Sequence, residues 1–564
     1  MRINDLIKPI SDIYEDYLHD ESHVVGTADS ISFPRSEAEL AEILAAESLR
    51  GRRITIQGGR TGISAAAVPH CGHIINMSRM DRITGMRMDG TCTCIGGSAG
   101  MHMDGSADMR TEASVRFHIR LQPGVTLAQL NSCLSQKCFD TSGWDTDSLT
   151  VYAAFCTAPE QFFAPDPTEA SAAFGGMAAC GASGARTYRY GSVREHISAL
   201  RIMLRDGRTL NLRRGENFAH QRLLKMRTDD GSDIELTLPS YNMPKVKNAA
   251  GYYIADGMDA IDLFIGSDGT LGIICEMEIA ILKRPPNICY SMCFFSDEPE
   301  RTSEEKALAF VSRVRADMDC IAAIEYFDAR SLEILRSKAA AGALADMPAL
   351  PEDYHAAVCL ELHNECSEDE TAQLLNAGDC MESAGGDPED VWIASTPSAE
   401  TRLKLLRHTI PESVNEIIGL RKKTDASISK IASDMAAPDG YLTALMYMYR
   451  SSLAASGLDC AVWGHIGDNH LHVNILPRNA DEFTEGKRLL KEWAEKVRSM
   501  GGTVSAEHGI GRLKTEYLTI MYGEKHIREM SAMKRVFDPD GSLGAGVMFA
   551  ASDPEILQTA DGGA

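Results

Sequence analysis

No stretch of this 564-residue chain approaches the roughly 20 consecutive apolar residues that a membrane-spanning helix requires. The first twenty residues scatter charges throughout and lack the apolar centre of a signal peptide. Positive charge is in deficit: 56 Lys and Arg against 80 Asp and Glu leave a formal charge of −24. Nucleic acid and an anionic membrane are thereby excluded as main partners, because phosphate would be repelled. Fifteen cysteines are present, yet no Cys-x-x-Cys run occurs, and Cys92 with Cys94 is the tightest pair. A cluster-binding site of the chain's own is not expected, and the thiols read as reduced, mostly buried groups of a cytoplasmic protein. No internal repeat is visible.

What is present concentrates near the C-terminus. The stretch Val462-Trp463-Gly464-His465-Ile466-Gly467-Asp468-Asn469-His470-Leu471-His472 is followed by Ser505-Ala506-Glu507-His508-Gly509-Ile510-Gly511. Imidazoles and a carboxylate framed by glycine are ligand chemistry for a borderline divalent metal, with one histidine left over as a base. Ala461–Trp463 and Leu471–Leu476 read as strands, and Gly467-Asp468-Asn469 as the turn between them. A tight reversal then brings His465 towards His472, and alternation puts His470 on the face of His472. Glu507 and His508 would diverge in a strand or helix, but a glycine-flanked turn lets both enter one pocket. The plain alternative is scattered histidines satisfied by loop hydrogen bonds.

The first half holds a second constellation. Ile54–Gln57 reads as a strand running into Gly58-Gly59-Arg60-Thr61-Gly62-Ile63-Ser64, a turn whose exposed N–H groups would admit a pyrophosphate. In order behind it come Gln122-Pro123-Gly124, Pro165-Asp166-Pro167, Gly175-Gly176, Ser183-Gly184, Tyr190-Gly191, Lys247-Asn248 and Gly266-Ser267-Asp268-Gly269-Thr270-Leu271-Gly272-Ile273. A cationic segment, Arg407 and then Arg421-Lys422-Lys423-Thr424-Asp425, stands out in an acidic chain. It reads either as a solvated helix face or as the group that fixes a substrate carboxylate.

These stretches resemble FAD-linked 2-hydroxy-acid dehydrogenases, the family of D-lactate dehydrogenases, glycolate oxidase flavoprotein subunits and D-2-hydroxyglutarate dehydrogenases. The family signature Gly-His-x-Gly-Asp-Gly-Asn-x-His falls on Gly464 to His472, and Glu-His-Gly-x-Gly falls on Glu507 to Gly511. Asn469 departs from a glycine, His470 from an asparagine, and Gly181 from a frequent asparagine. The first half resembles the FAD-binding domain of the vanillyl-alcohol-oxidase type, and the likeness runs from about residue 30 to about 550. The resemblance implies His465, His472 and Glu507 as metal ligands, with zinc best suited and manganese or iron left open. It implies His508 as the base and Arg407, Lys423 and His470 as substrate contacts. It implies non-covalent FAD on Gly58, Gly59, Arg60, Thr61, Gly62, Ser64, Pro165, Asp166, Gly175, Gly176, Ser183, Gly184, Tyr190, Gly191 and Ile273.

The expected activity is oxidation of a small D-2-hydroxy acid, D-lactate first and glycolate or D-2-hydroxyglutarate as alternatives. Electrons would pass to an acceptor: an electron-transferring flavoprotein, an iron–sulfur subunit or a quinone-linked chain, which could also hold the protein peripherally at a membrane. A homodimer is left open. A metallohydrolase using the same His/His/Glu set is the rival class, and a non-catalytic electron-transfer subunit is a third reading.

The expected fold is α+β. Residues 1–30 read as a helical extension, with Leu6, Ile10, Ile13 and Leu18 on one side. Residues 31–285 read as the FAD-binding domain, with Met86–Ala113 and Asp145–Pro159 as loops or short hairpins. The prolines of Arg284-Pro285-Pro286 mark a hinge. Residues 286–480 read as a substrate or cap domain, and 481–564 as a helical segment with a frayed tail from Ala551 to Ala564.

Overall fold

The computed structural model describes residues 3–89, 116–344 and 347–549. Its first layer is a four-stranded sheet in the order Ile7–Pro9, Ser30–Ser32, His73–Asn76, Ile54–Gln57. The helix Glu37–Leu49 supplies buried Leu40, Ile43 and Leu44, and Ser36 caps its start by accepting from the Glu39 amide. The N-terminus differs from the helical extension expected of it. One helical turn, Ile3–Leu6, gives way to the strand Ile7–Pro9 and to a 3-10 helix at Asp12–Leu18 that buries none of its residues. Pro9 cannot continue a helix, and Ser30–Ser32 offers the strand a partner.

A second, antiparallel sheet runs Ile83–Asp89, Arg116–Leu121, Ile273–Lys283, Ile197–Met203, Thr209–Arg213. Met86 to Asp89, expected in a loop, therefore end a strand, while the rest of that expected loop lies outside the described residues. Asp145–Pro159, also expected as loop, contains the helix Thr146–Thr157. The side chain of Asp145 caps it, and buried Phe155 packs edge-on to Phe117 at 5.5 Å. A polar composition concealed that cap and anchor.

Ile273–Lys283 ends just before the paired prolines, and the next strand starts at Asn287. It joins a larger antiparallel sheet, in the order Val391–Ala394, Asn287–Ser296, Tyr354–Asn364, Ile321–Asp328, Cys460–Gly464, His470–Ile475, Ile431–Ala432. The long helix Pro397–Lys422 packs on the first two strands and buries Leu403, Leu406, Ile410 and Val414. Cys460–Gly464 and His470–Ile475 pair antiparallel with Trp463 opposite His472. The helices Ala480–Ser499 and Thr515–Phe537 pack together behind. The expected frayed tail lies outside the described residues, among which no helix is long and apolar enough to cross a membrane.

Candidate active site

The turn after Ile54–Gln57 lines a cavity of about 330 Å³. Gly58 to Ser64 contribute throughout, joined by Gly175, Gly176, Ser183 and Ile273, and by Glu507 and His508. The close approaches explain two glycines here. A Cβ on Gly59 would stand 2.8 Å from the Ser171 carbonyl, and one on Gly511, at φ +51°, would stand 2.1 Å from that of Ser64. Gly176 differs, since nothing lies within 4 Å of a Cβ there and the open side belongs to the cavity. A trough of bare backbone beside apolar Ile56, Met77 and Ile273 suits a large, flat, phosphate-bearing cofactor.

Other residues expected to hold FAD do not line this cavity. Asp166 lies 4.0 Å from Arg407 and 3.8 Å from Arg186. Gly184 packs against the Asp166 carbonyl, leaving 2.0 Å for a Cβ. The Tyr190 hydroxyl pairs with His363 Nδ1 at 2.7 Å, and Gly191, at φ +76°, ends the short helix Thr187–Tyr190. Pro165 is buried beside Asp166 and is likewise off the lining.

Beside the cavity, a 3-10 turn at Ile466–Asp468 and a left-handed Asn469 (φ +51°) fold the chain back so that three imidazoles converge. One ligand atom from each of His465, His470, His472 and Glu507 lies within 4.8 Å of all the others. Glu507 Oε2 is the focus, 3.2 Å from His465 Nε2, 3.6 Å from His472 Nε2 and 3.9 Å from His470 Nδ1. Its other oxygen accepts from Lys247 Nζ at 2.7 Å and from Ser183 Oγ at 3.2 Å. Burial would raise the Glu507 carboxyl, but His465 and Lys247 hold it well below the usual range. Burial likewise depresses His470, to about 4, and His472. At His465 it is outweighed by Glu325 and Glu507, which push the imidazole up to about 9. Two neutral imidazoles, a third that would give up its proton to an incoming cation, and an ionised carboxylate are a donor set that fits a divalent ion.

His508 follows Glu507 but leaves in another direction. Its ring stacks on His472 with centroids 5.5 Å apart, its Nδ1 lies 3.3 Å from Asp434 Oδ2, and its side chain is more exposed than any imidazole of the cluster. Asp434 also accepts from the amides of Glu507 and His508 and from Ser505 and Lys514. Burial would raise its carboxyl, but His508 and Lys514 pull it well below the usual range.

Arg407 projects from Pro397–Lys422 into the same buried region, with Glu325 Oε1 at 3.8 Å and Asp166 at 4.0 Å, both outside hydrogen-bond distance. Glu325 Oε1 also holds His465 Nδ1 at 2.6 Å, tying the arginine to the cluster. Two expected substrate contacts need correction. Lys423 is exposed at the C-terminal cap of that helix, roughly 24 Å along its axis from Arg407 at about 1.5 Å per residue. His470 has no exposed surface and does not line the cavity; its backbone pairs with Ala436 at the edge of the sheet. Asp434 and Glu325 were missed, and Lys247, named in the first-half motif series, was given no role there. Only Glu325 left a signal, as a lone carboxylate in the apolar run Ile321–Phe327.

Residues 284–548 match the family described as FAD linked oxidases, C-terminal domain. The chain is 24% identical to the D-2-hydroxyglutarate dehydrogenase of Stutzerimonas stutzeri, covering 94% of this chain and 92% of that one. It is 24% identical to the mitochondrial D-lactate dehydrogenase [cytochrome] of Arabidopsis thaliana, covering 96% and 77%. It is 25% identical to glycolate oxidase subunit GlcD of Bacillus subtilis, covering 69% and 71%. Among solved structures, alkyldihydroxyacetonephosphate synthase shares the fold, at TM-score 0.58 and 14% identity over 96% of this chain and 82% of the other.

Proposed function

From the premise that this chain is an FAD-linked oxidoreductase, related to the 2-hydroxy-acid dehydrogenases and carrying the FAD-linked oxidase C-terminal domain, we propose that it oxidises a D-2-hydroxy acid to the 2-oxo acid. D-lactate is the first candidate substrate, with glycolate and D-2-hydroxyglutarate behind it. The observation that carries this reading is that Arg407 reaches the His/Glu donor set through Glu325, His508 stacks on His472 of that set, and the glycine turn and Glu507–His508 line one cavity. Arg407 takes the substrate carboxylate, since among the described residues its guanidinium has carboxylate neighbours at 3.8 and 4.0 Å and none at hydrogen-bond distance. His508 takes the hydroxyl proton on Nε2, its Nδ1 being turned to Asp434. Bound FAD would supply the acceptor for the C2 hydride, and His465, His472 and Glu507 would hold a divalent ion, zinc by preference, whose charge would acidify the hydroxyl. FAD is held non-covalently, and a separate redox protein reoxidises it.

Anaerobic bleaching of the flavin absorbance with a panel of D- and L-hydroxy acids tests the proposal. Rapid bleaching by D-acids alone supports it. A colourless purified protein, or bleaching by no hydroxy acid, refutes it.

A further inference from the structure

The sequence carries one histidine more than a three-ligand site needs, and its surroundings are unusual. The His470 ring is fully buried. Its centroid is 4.5 Å from that of His472 and 5.4 Å from that of His465. Nδ1 faces Glu507 Oε2, the oxygen that the other two imidazoles also face. That nitrogen has no hydrogen-bond partner among the described residues. A buried imidazole nitrogen without a partner costs free energy unless something satisfies it.

The far side of the ring points the same way. Nε2 lies 3.1 Å from Asp434 Oδ1, close although off the axis of a full hydrogen bond. A proton on Nε2 leaves the Nδ1 lone pair directed at the cluster. His465 is arranged likewise in mirror fashion: its Nδ1 is held by Glu325 at 2.6 Å and its Nε2 faces Glu507. An outer carboxylate that fixes the tautomer of a ligating histidine is a general feature of metal sites. Two of the three imidazoles here have one.

We infer that His470 is a fourth protein ligand, so that this chain holds its divalent ion with three imidazoles and one carboxylate. The inference rests on reading the cluster as a metal site, and it goes further by assigning a role to His470, one of the two residues at which this chain departs from the Gly464–His472 signature. Two consequences follow. Three imidazoles favour zinc, cobalt, nickel or copper over magnesium, calcium or manganese. Four protein ligands also complete a tetrahedral shell, so a substrate oxygen must enter as a fifth ligand.

The test uses the full-length, flavin-containing protein, stripped with a chelator and titrated with Co²⁺. X-ray absorption of the cobalt-loaded wild type should count three imidazoles, and His470→Asn should count two. The variant should bind cobalt more weakly by at least the roughly 10–100-fold that loss of an outer partner costs, with a changed visible cobalt spectrum. Two imidazoles in the wild type, or a variant with unchanged spectrum and affinity, overturns the inference but leaves the metal site standing. Absence of stoichiometric cobalt binding to the wild type overturns both. Flavin absorbance and the urea midpoint report whether His470→Asn is folded; should it not fold, the wild-type imidazole count decides alone.

Discussion

The two sides of the cavity are built from opposite materials. Around Gly58–Ser64 and Gly175–Gly176 the walls are backbone and apolar side chains, and shape does the binding. At Glu507 the wall is ionisable, and behind it three imidazoles, Lys247, Glu325, Asp434 and Arg407 form a chain of charged and titratable groups, each within 4.0 Å of Glu507 or of another member. A wall of backbone tolerates the loss of a side chain and is vulnerable to an added Cβ. A wall of compensating charges tolerates little loss, because each deletion leaves a neighbour buried and unpaired.

The largest effect should come from the charge side. Glu507→Ala removes the group at which His465, His472 and Lys247 meet, so the metal should be lost and turnover with it. Stability should fall by about 3–5 kcal/mol, as for a broken buried pair. Elemental analysis and urea unfolding measure both, and a variant that keeps its metal would break the comparison. Next, His508→Ala should retain metal and flavin while slowing anaerobic flavin reduction by roughly 10²–10⁴-fold, the span of a general base. If His508→Ala loses its metal while Glu507→Ala keeps it, the two roles are exchanged.

Arg407→Ala should lower kcat/KM for the hydroxy acid by roughly 10–100-fold, corresponding to a charged hydrogen bond of about 1.5–3 kcal/mol. On the backbone side, adding one methyl group separates two kinds of glycine. Gly511→Ala forces a Cβ to 2.1 Å from the Ser64 carbonyl at a positive φ, so it should lower the Tm even without flavin. Gly176→Ala meets nothing within 4 Å, so it should weaken FAD retention and leave the flavin-free Tm within about 1 °C of wild type, a small shift for a change that creates no clash. Equal losses of Tm would mean that the trough is not the cofactor site. The smallest effect is expected at Lys423→Ala, exposed and far from Arg407: steady-state KM should stay within about twofold.

Local features were legible where local chemistry carried them. The strand Ile54–Gln57 has the bounds that its composition suggests. The hairpin of Cys460–Gly464 and His470–Ile475 follows from β-formers around a turn. The helix at Thr146–Thr157 was hidden because its cap and its Phe155 anchor count for more than its polar composition. Lys423 misled because a cation near a helix end has the same spelling whether it faces solvent or substrate.

Residue types and short spacings were enough to place imidazoles, a carboxylate and a glycine turn in one protein, because turns and alternation act over a few residues. Which groups serve them was decided by packing. Glu325 reaches His465 across 140 residues, Asp434 the Glu507 amide across 73, and Lys247 the Glu507 carboxylate across 260. None of the three stands beside its partner in the sequence. Burial of their side chains in the folded chain excludes water from them, and that exclusion makes a neighbouring charge matter.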